Sequence, residues 1–178
     1  MAMPVEVRPI RKRNRRMSSE ITDSAASSGQ LQLVTFKLGA EEFGLDVMNV
    51  REIDKTVTFT QIPNSPDFIE GIINLRNNVI PVIDLRRKFN MEFKLNDQHT
   101  RIIVAELEGK TVGLRVDAVQ EVLRISSDGL EPPPSTVFGT DAIFIKGIAR
   151  VGVKILMLVN LAPLISSGER IFTEELCN

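Results

Sequence analysis

Apolar residues along this chain recur mainly at every second position, the period of β-strands. Leu31, Leu33, Phe36 and Leu38, with Val34 on the other face, predict a first strand that stops before Gly39. Ala40–Glu42 turns the chain, and Phe43–Val47 reads as a second strand. Val47, Val50 and Ile53 stand at helical spacing, which predicts a short helical turn over Met48–Ile53. Thr56–Ile62 alternates again and reads as strand until Pro63-Asn64-Ser65-Pro66 breaks it. Pro66–Ile69 predicts one turn of helix with Ser65 as its N-cap. Gly71–Leu85 then has the pattern of a hairpin, two apolar runs either side of Asn77-Asn78. Asparagine accepts the positive φ that a type I′ turn demands at both central positions. Pro81 cannot donate to a ladder, so its N–H side belongs on an edge. Arg76 breaks the pattern, a charged residue ending an apolar strand beside the turn. Asp84 is placed to cap a short basic helix, Leu85–Phe89, and a polar stretch, Asn90–Gln98, follows.

The pattern then repeats. Ile102–Glu121 overlays Leu33–Glu52 without a gap at an offset of 69 residues. Phe43-Gly44-Leu45 matches Val112-Gly113-Leu114, and Glu52 matches Glu121. The hairpin recurs as Gly147–Leu161 at an offset of 76. The extra seven residues fall in the loop that holds Asp128-Gly129 and Pro132-Pro133-Pro134. Each half carries about five short strands, which suggests small barrels or sandwiches. A half of roughly 65 residues is near the lower limit for independent stability, so the two are expected to share apolar surface. Ile171, Phe172 and Leu176 give Gly168–Leu176 the pattern of a short C-terminal helix or a frayed tail.

Composition changes this picture at the ends. The chain has 178 residues and a formal charge of −1. Residues 1–16 hold six basic residues and Glu6, so they carry +5 and the remainder −6. Residues 1–30 lack apolar periodicity and read as a disordered tail, basic and then serine-rich. The basic run is a solvated tail or a contact for nucleic acid or anionic lipid, and Met17 is a candidate alternative start. No apolar run approaches the ~18 residues of a membrane span. Cys177 is the only cysteine, so no internal disulfide is expected, as suits a reducing compartment. The chain reads as soluble and cytoplasmic.

Catalytic chemistry is hard to find. His99 is the only histidine and sits at a polar loop-to-strand junction, where a solvated side chain is expected. One histidine and one cysteine are too few for a zinc site, and no Gly-rich phosphate loop is present. Among the carboxylates of the repeat, Asp84 is replaced by Asn160. Asparagine shares the capping chemistry of aspartate but not its acid–base chemistry, so a structural role is expected. Tryptophan and tyrosine are absent, and the mildly acidic body lacks the aromatic, basic groove of a single-strand binder. A binding module is what is left.

Several segments together resemble the CheW-like adaptor family of bacterial chemotaxis: Phe43-Gly44-Leu45-Asp46-Val47, Val50-Arg51-Glu52-Ile53, Gly71-Ile72-Ile73-Asn74-Leu75-Arg76 and Ile80-Pro81-Val82-Ile83-Asp84-Leu85-Arg86. Gly113-Leu114, Val116-Asp117 and Val119–Leu123 extend the likeness, which runs from about Leu31 to Ile165. The resemblance implies a mainly β fold of two SH3-like five-stranded β-barrels packed on a shared core, with short helices. Residues 31–97 would form the first barrel repeat, 98–166 the second, and 167–178 the C-terminal helix or tail. It implies no enzyme activity and no cofactor. The implied role is to couple the cytoplasmic tips of transmembrane chemoreceptors to the regulatory domain of the histidine kinase CheA, in arrays at the inner membrane. Carried over by motif, the receptor site comprises Val50, Glu52, Ile53, Gly71, Arg76 and Val122, and the kinase site Leu130, Pro132, Pro133 and Pro134. The family usually has glycine after Asn-Leu-Arg, where this chain has Asn77. Two other readings stand beside this one. The first is an adaptor of another signalling system, such as a type-IV-pilus array. The second is a small-barrel nucleic-acid binder using the basic N-terminus. Arg76 has Gly152 as its repeat image, so barrel building does not explain it, and a partner contact through its guanidinium is expected.

Overall fold

A computed structural model describes residues 29–55, 58–134 and 143–168. The first repeat supplies β1 (Gln30–Leu38), β2 (Glu41–Asp46), β3 (Val50–Lys55), β4 (Ile69–Leu75), β5 (Asn78–Asp84) and the short helix α1 (Leu85–Lys88). The second supplies β6 (Arg101–Leu107), β7 (Lys110–Val116), β8 (Ala118–Ser126), β9 (Ile145–Val151) and β10 (Lys154–Val159). A second helix, α2, follows over 161–168. The basic tail, Cys177 and nearly all of the segment patterned as a C-terminal helix lie outside the described residues. Gly168 is the last described residue of α2.

The strands form two five-stranded sheets, ordered β8-β1-β2-β10-β9 and β3-β6-β7-β5-β4. Each sheet takes two strands from one repeat and three from the other. β1 and β2 join β8, β9 and β10, while β6 and β7 join β3, β4 and β5. Each sheet joins the repeats twice, through a parallel pair, β2 with β10 or β5 with β7, and through an antiparallel pair, β1 with β8 or β3 with β6, and the remaining pairs are antiparallel. Neither ladder closes on itself among the described residues. Instead one isolated bridge in each sheet, Thr60 with Ile72 and Glu131 with Ile148, draws the segment after an end strand onto the opposite end strand.

Burial follows from the pleat. Side chains alternate faces along a strand, so a strand buried on both sides reads as a continuous apolar run. β5 is such a strand. Val82 joins Ile73, Ile80, Ile102 and Val104 on one face of its sheet. Ile83 joins a larger cluster on the other face, with Phe36, Phe43, Leu45, Ile103 and Leu114, which draws on both sheets. Leu33, Ala149, Leu156 and Leu158 form the matching small cluster of the other sheet. Phe36, Phe43, Phe89 and Phe144 run through the shared core with ring centroids 5.7, 5.5 and 6.3 Å apart.

Three local expectations are corrected. Val50–Lys55 is a strand, and only Val47–Asn49 forms a 3-10 turn, capped by the Asp46 carboxylate that accepts the Met48 N–H at 2.9 Å. Three apolar positions are too few to separate the two periods, and pairing with β6 decides for strand. Within 58–62 only Thr60 pairs, because the chain there crosses to β4 instead of continuing an edge. Pro66–Ile69 closes one turn, in which the Ile69 N–H donates to the Pro66 carbonyl at 3.0 Å, but the turn does not continue as a helix. The Ser65 hydroxyl donates backward to the Ile62 carbonyl at 2.9 Å instead of capping forward, and Ile69 already begins β4.

Gly71 explains why the crossing segment fits. Its φ is +151°, and a Cβ there would lie 2.7 Å from the Thr60 carbonyl oxygen and 3.0 Å from the Phe59 Cβ. The close approach that this glycine permits is to the chain's own backbone. Gly71→Ala is expected to lose about 2 kcal/mol or more of stability, because both backbone conformation and packing are violated. Urea denaturation measures this, and an unchanged midpoint would show that the crossing segment yields freely.

Candidate functional site

The first hairpin has a two-residue loop, and its register is one residue earlier than the sequence suggests. Leu75 pairs with Asn78, so Arg76 and Asn77 are the turn residues, with φ of 51° and 69°. Positive φ at both positions is the type I′ pattern. Arg76 is therefore not a strand-end residue but a left-handed one. The image turn needs positive φ only at Gly152, at 64°. A non-glycine residue in this conformation costs roughly 1–2 kcal/mol, so an arginine here is strained where its repeat image is not.

From that turn Arg76 Nη1 donates to Glu52 Oε2 at 2.6 Å, with side-chain exposures of 71% and 21%. Glu52 is aimed by a bulge. The β3–β6 register shifts between Val50 and Glu52, setting Val50 opposite Ala105 and Glu52 opposite Val104. Arg51, the bulged residue, pairs with Glu106 at 3.1 Å. Asp54 follows on the Glu52 side. Burial pushes its carboxyl pKa above the ordinary value, and the Glu52 charge adds to that, while Arg76 pulls the other way. Arg51, Glu52, Arg76, Leu75, Ile80 and Thr111 outline a shallow mouth at this end of the sheet.

The structure thus gathers Glu52 and Arg76, with Val50 and Ile53 flanking Glu52 on the same strand. Ile53 is 39% exposed, whereas Val50 is half-buried against the shared core. Gly71 is engaged by Thr60, as described. Val122 lies on β8 in the other sheet, opposite Val34, as the repeat image of Ile53. Leu130 packs on the core of the β8-β1-β2-β10-β9 sheet, and Glu131 bridges Ile148, leaving Pro132 and Pro134 exposed and Pro133 half-buried.

Two ionic clusters escaped the sequence pattern. Arg115 is 4% exposed and spans Asp84 at 3.1 Å and Glu70 at 3.5 Å. It also donates to Asn96 Oδ1 at 2.6 Å and to the Lys94 carbonyl, which pins the irregular 90–98 stretch. Asp84 caps α1 by accepting the Arg86 N–H at 3.0 Å, as expected, yet its charge is used as well. Arg86 in turn grips Asp117 with a fork of bonds at 2.8, 3.1 and 2.6 Å.

These contacts set an acid response. Burial alone would raise the Asp117 pKa, but the Arg86 fork and the Gly39 N–H outweigh it and hold it below the ordinary value. Asp97 is held at about 2, first by Lys94 and then by the His99 N–H. Both folded pKa values lie below the unfolded ones, so the unfolded chain binds more protons in acid. Their contribution is present above the ordinary aspartate value and is lost as pH falls through the folded values. Glu70, raised first by burial, acts in the opposite direction, losing its contribution as pH rises through its folded value. The melting temperature is expected to fall between about pH 4 and pH 2, with a shallower slope in Asp117→Asn. Circular dichroism melts over that range check this, and an unchanged slope in the variant would count against the Asp117 contribution.

Among the described residues no group of His, Cys, Asp and Glu side chains is arranged to hold a metal ion. His99 is exposed, its ring nitrogen 3.3 Å from Gln98 Nε2. No helix of the described residues is long and apolar enough to cross a membrane. The described residues thus form a two-sheet scaffold that carries an exposed ion pair on a strained turn, beside an edge strand with an exposed isoleucine. Comparison with known proteins gives the family. Residues 32–169 match the CheW-like domain. The chain is 34% identical over 149 residues to the chemotaxis protein CheW of Treponema pallidum, covering 82% of this chain and 88% of that one. It is 36% identical over 138 residues to CheW of Klebsiella aerogenes, covering 78% and 83%. The crystal structure of the scaffolding protein TtCheW from Thermoanaerobacter tengcongensis superposes with a TM-score of 0.69 at 43% identity, covering 74% of this chain and 84% of that one. The chain belongs to the CheW-like family of chemotaxis scaffold proteins.

Proposed function

We propose that this chain is a non-enzymatic cytoplasmic adaptor that couples transmembrane chemoreceptors to the histidine kinase CheA. The observation that carries the reading is Arg76. It adopts a left-handed conformation at a position whose repeat image is glycine, and it projects an exposed guanidinium held by Glu52. A surface ion pair of this kind contributes only about 0–1 kcal/mol to stability, so folding gives little reason for it. Val50 and Ile53 supply apolar surface beside it for an amphipathic receptor helix. Gly71 supports this surface from within by seating the crossing segment, and Val122 adds an apolar side chain from the other sheet. The kinase regulatory domain binds at a separate surface that includes Leu130 and Pro132–Pro134, with Leu130 anchoring the proline run. A pull-down with a receptor cytoplasmic fragment and a CheA regulatory domain tests the reading. Retention of both is expected, and a folded protein that retains neither would refute it.

A further inference from the structure

The two sheets present equivalent mouths, and the second differs from the first in one chemical respect. In the first, the bulged strand β3 offers Glu52, and the hairpin tip offers Arg76 to neutralise it. In the second, the bulge recurs in β8, where the β1 register shifts between Val34 and Phe36. The repeat keeps the carboxylate, as Glu121. It removes both guanidiniums, with Gln120 in place of Arg51 and Gly152 in place of Arg76. The result is a cleft of about 250 Å³ where the first mouth holds about 30 Å³. Leu123, Val151 and Leu156 form its apolar walls, and fully exposed Val153 stands at its lip. Its charged lining groups are Glu42, Glu121 and Lys154. Lys154 pairs with Glu42 at 3.1 Å. Among the described residues no cation pairs with the Glu121 carboxylate, so the cleft is one positive charge short.

We propose that the cleft between β8 and the β9–β10 hairpin is a docking site for an arginine side chain of a protein partner, whose guanidinium takes at Glu121 the place that Arg76 takes at Glu52. Arginine suits it in both parts. Its aliphatic stem packs on apolar walls while the fork at its end meets a carboxylate in two parallel bonds. A lysine offers a single point charge and a shorter reach to the same oxygen atoms. This assignment rests on the internal comparison of the two mouths and does not depend on which partners the adaptor serves.

The test is a nuclear magnetic resonance titration of the full chain, methyl-labelled, with a blocked pentapeptide carrying arginine between leucines. Saturable shifts at Leu123, Val151 and Leu156 are expected. The same peptide with neutral citrulline should bind at least tenfold more weakly, and Glu121→Gln should weaken the arginine peptide to a similar degree. Gly152→Arg, which supplies the guanidinium from the chain itself, should block the cleft while leaving the spectrum of the other sheet unchanged. Equal binding of the citrulline peptide, or binding indifferent to Glu121→Gln, would overturn the proposal. So would shifts at the same methyls on dilution of the free protein, which would mean that a second copy fills the cleft. Contacts from residues 8–16 to those methyls in the free protein would equally replace the partner with the chain's own segment.

Discussion

Arg115→Leu is expected to destabilise the fold by about 3–5 kcal/mol, because it leaves the buried Asp84 carboxylate with only the more distant, partly exposed Arg87 at 3.7 Å. Asp84 is fully buried, and Arg115 faces it across the parallel β5–β7 pair, with Glu70 also in reach. Leucine keeps the apolar contacts of the stem but removes the charge, the bond to Asn96 and the bond to the Lys94 carbonyl. The 90–98 stretch has no regular structure of its own, so it should loosen with the same substitution. A second substitution separates the two effects. Asn160, a neutral side chain whose amide donates to the Ile143 carbonyl at 3.1 Å, occupies the position of Asp84 in the other sheet. Asp84→Asn in the Arg115→Leu background is therefore expected to recover part of the loss, the excess charge being gone. Urea denaturation of the single and double variants measures both, and a single-variant loss below about 1 kcal/mol would place the Arg115 cluster among marginal surface pairs.

Arg76 should behave in the opposite way. Arg76→Ala is expected to weaken receptor coupling at least tenfold with little change in melting temperature, since an exposed pair contributes about 0–1 kcal/mol. Arg76→Gly is the sharper variant. Glycine adopts φ near +51° without penalty, so it should hold or raise stability by up to about 1 kcal/mol while abolishing the same contact. Gain of stability with loss of coupling is a signature that a scaffold residue does not give. Binding of a receptor cytoplasmic fragment, read beside a thermal melt of each variant, provides the two quantities. A large loss of stability in either variant would make Arg76 structural.

These two arginines also show how far the sequence carries. Arg76 was visible because both copies of the hairpin can be laid side by side, and the scaffold positions agree while that one does not. Its conformation was not visible. The Asn77-Asn78 pair suggests the turn, but the cross-strand register, with Leu75 facing Asn78, moves the turn one residue back and makes Arg76 its first member. Arg115 gave no such signal. Its image is Asp46 and its partner's image is Asn160, so the pair exists in one sheet alone. The two residues sit 31 positions apart in different repeats. They meet only because β6 and β7 cross into the sheet of β3, β4 and β5. Local apolar period picked out β1, β2, β4 and β5, and the repeat carried the pattern to the second half. It failed over Met48–Ile53, where three positions fit either period, and it could not show which repeat completes which sheet, because homology between repeats is indifferent to strand exchange.

The claim that this chain bridges two partners is tested most directly by co-sedimentation. Receptor-bearing membranes are mixed with CheA, with and without this protein, and the pelleted kinase is measured. The adaptor reading predicts that CheA pellets in quantity only when this protein is present, and that Arg76→Gly abolishes the effect while a pull-down still shows the variant bound to CheA. Equal pelleting of CheA with and without the folded protein would contradict it.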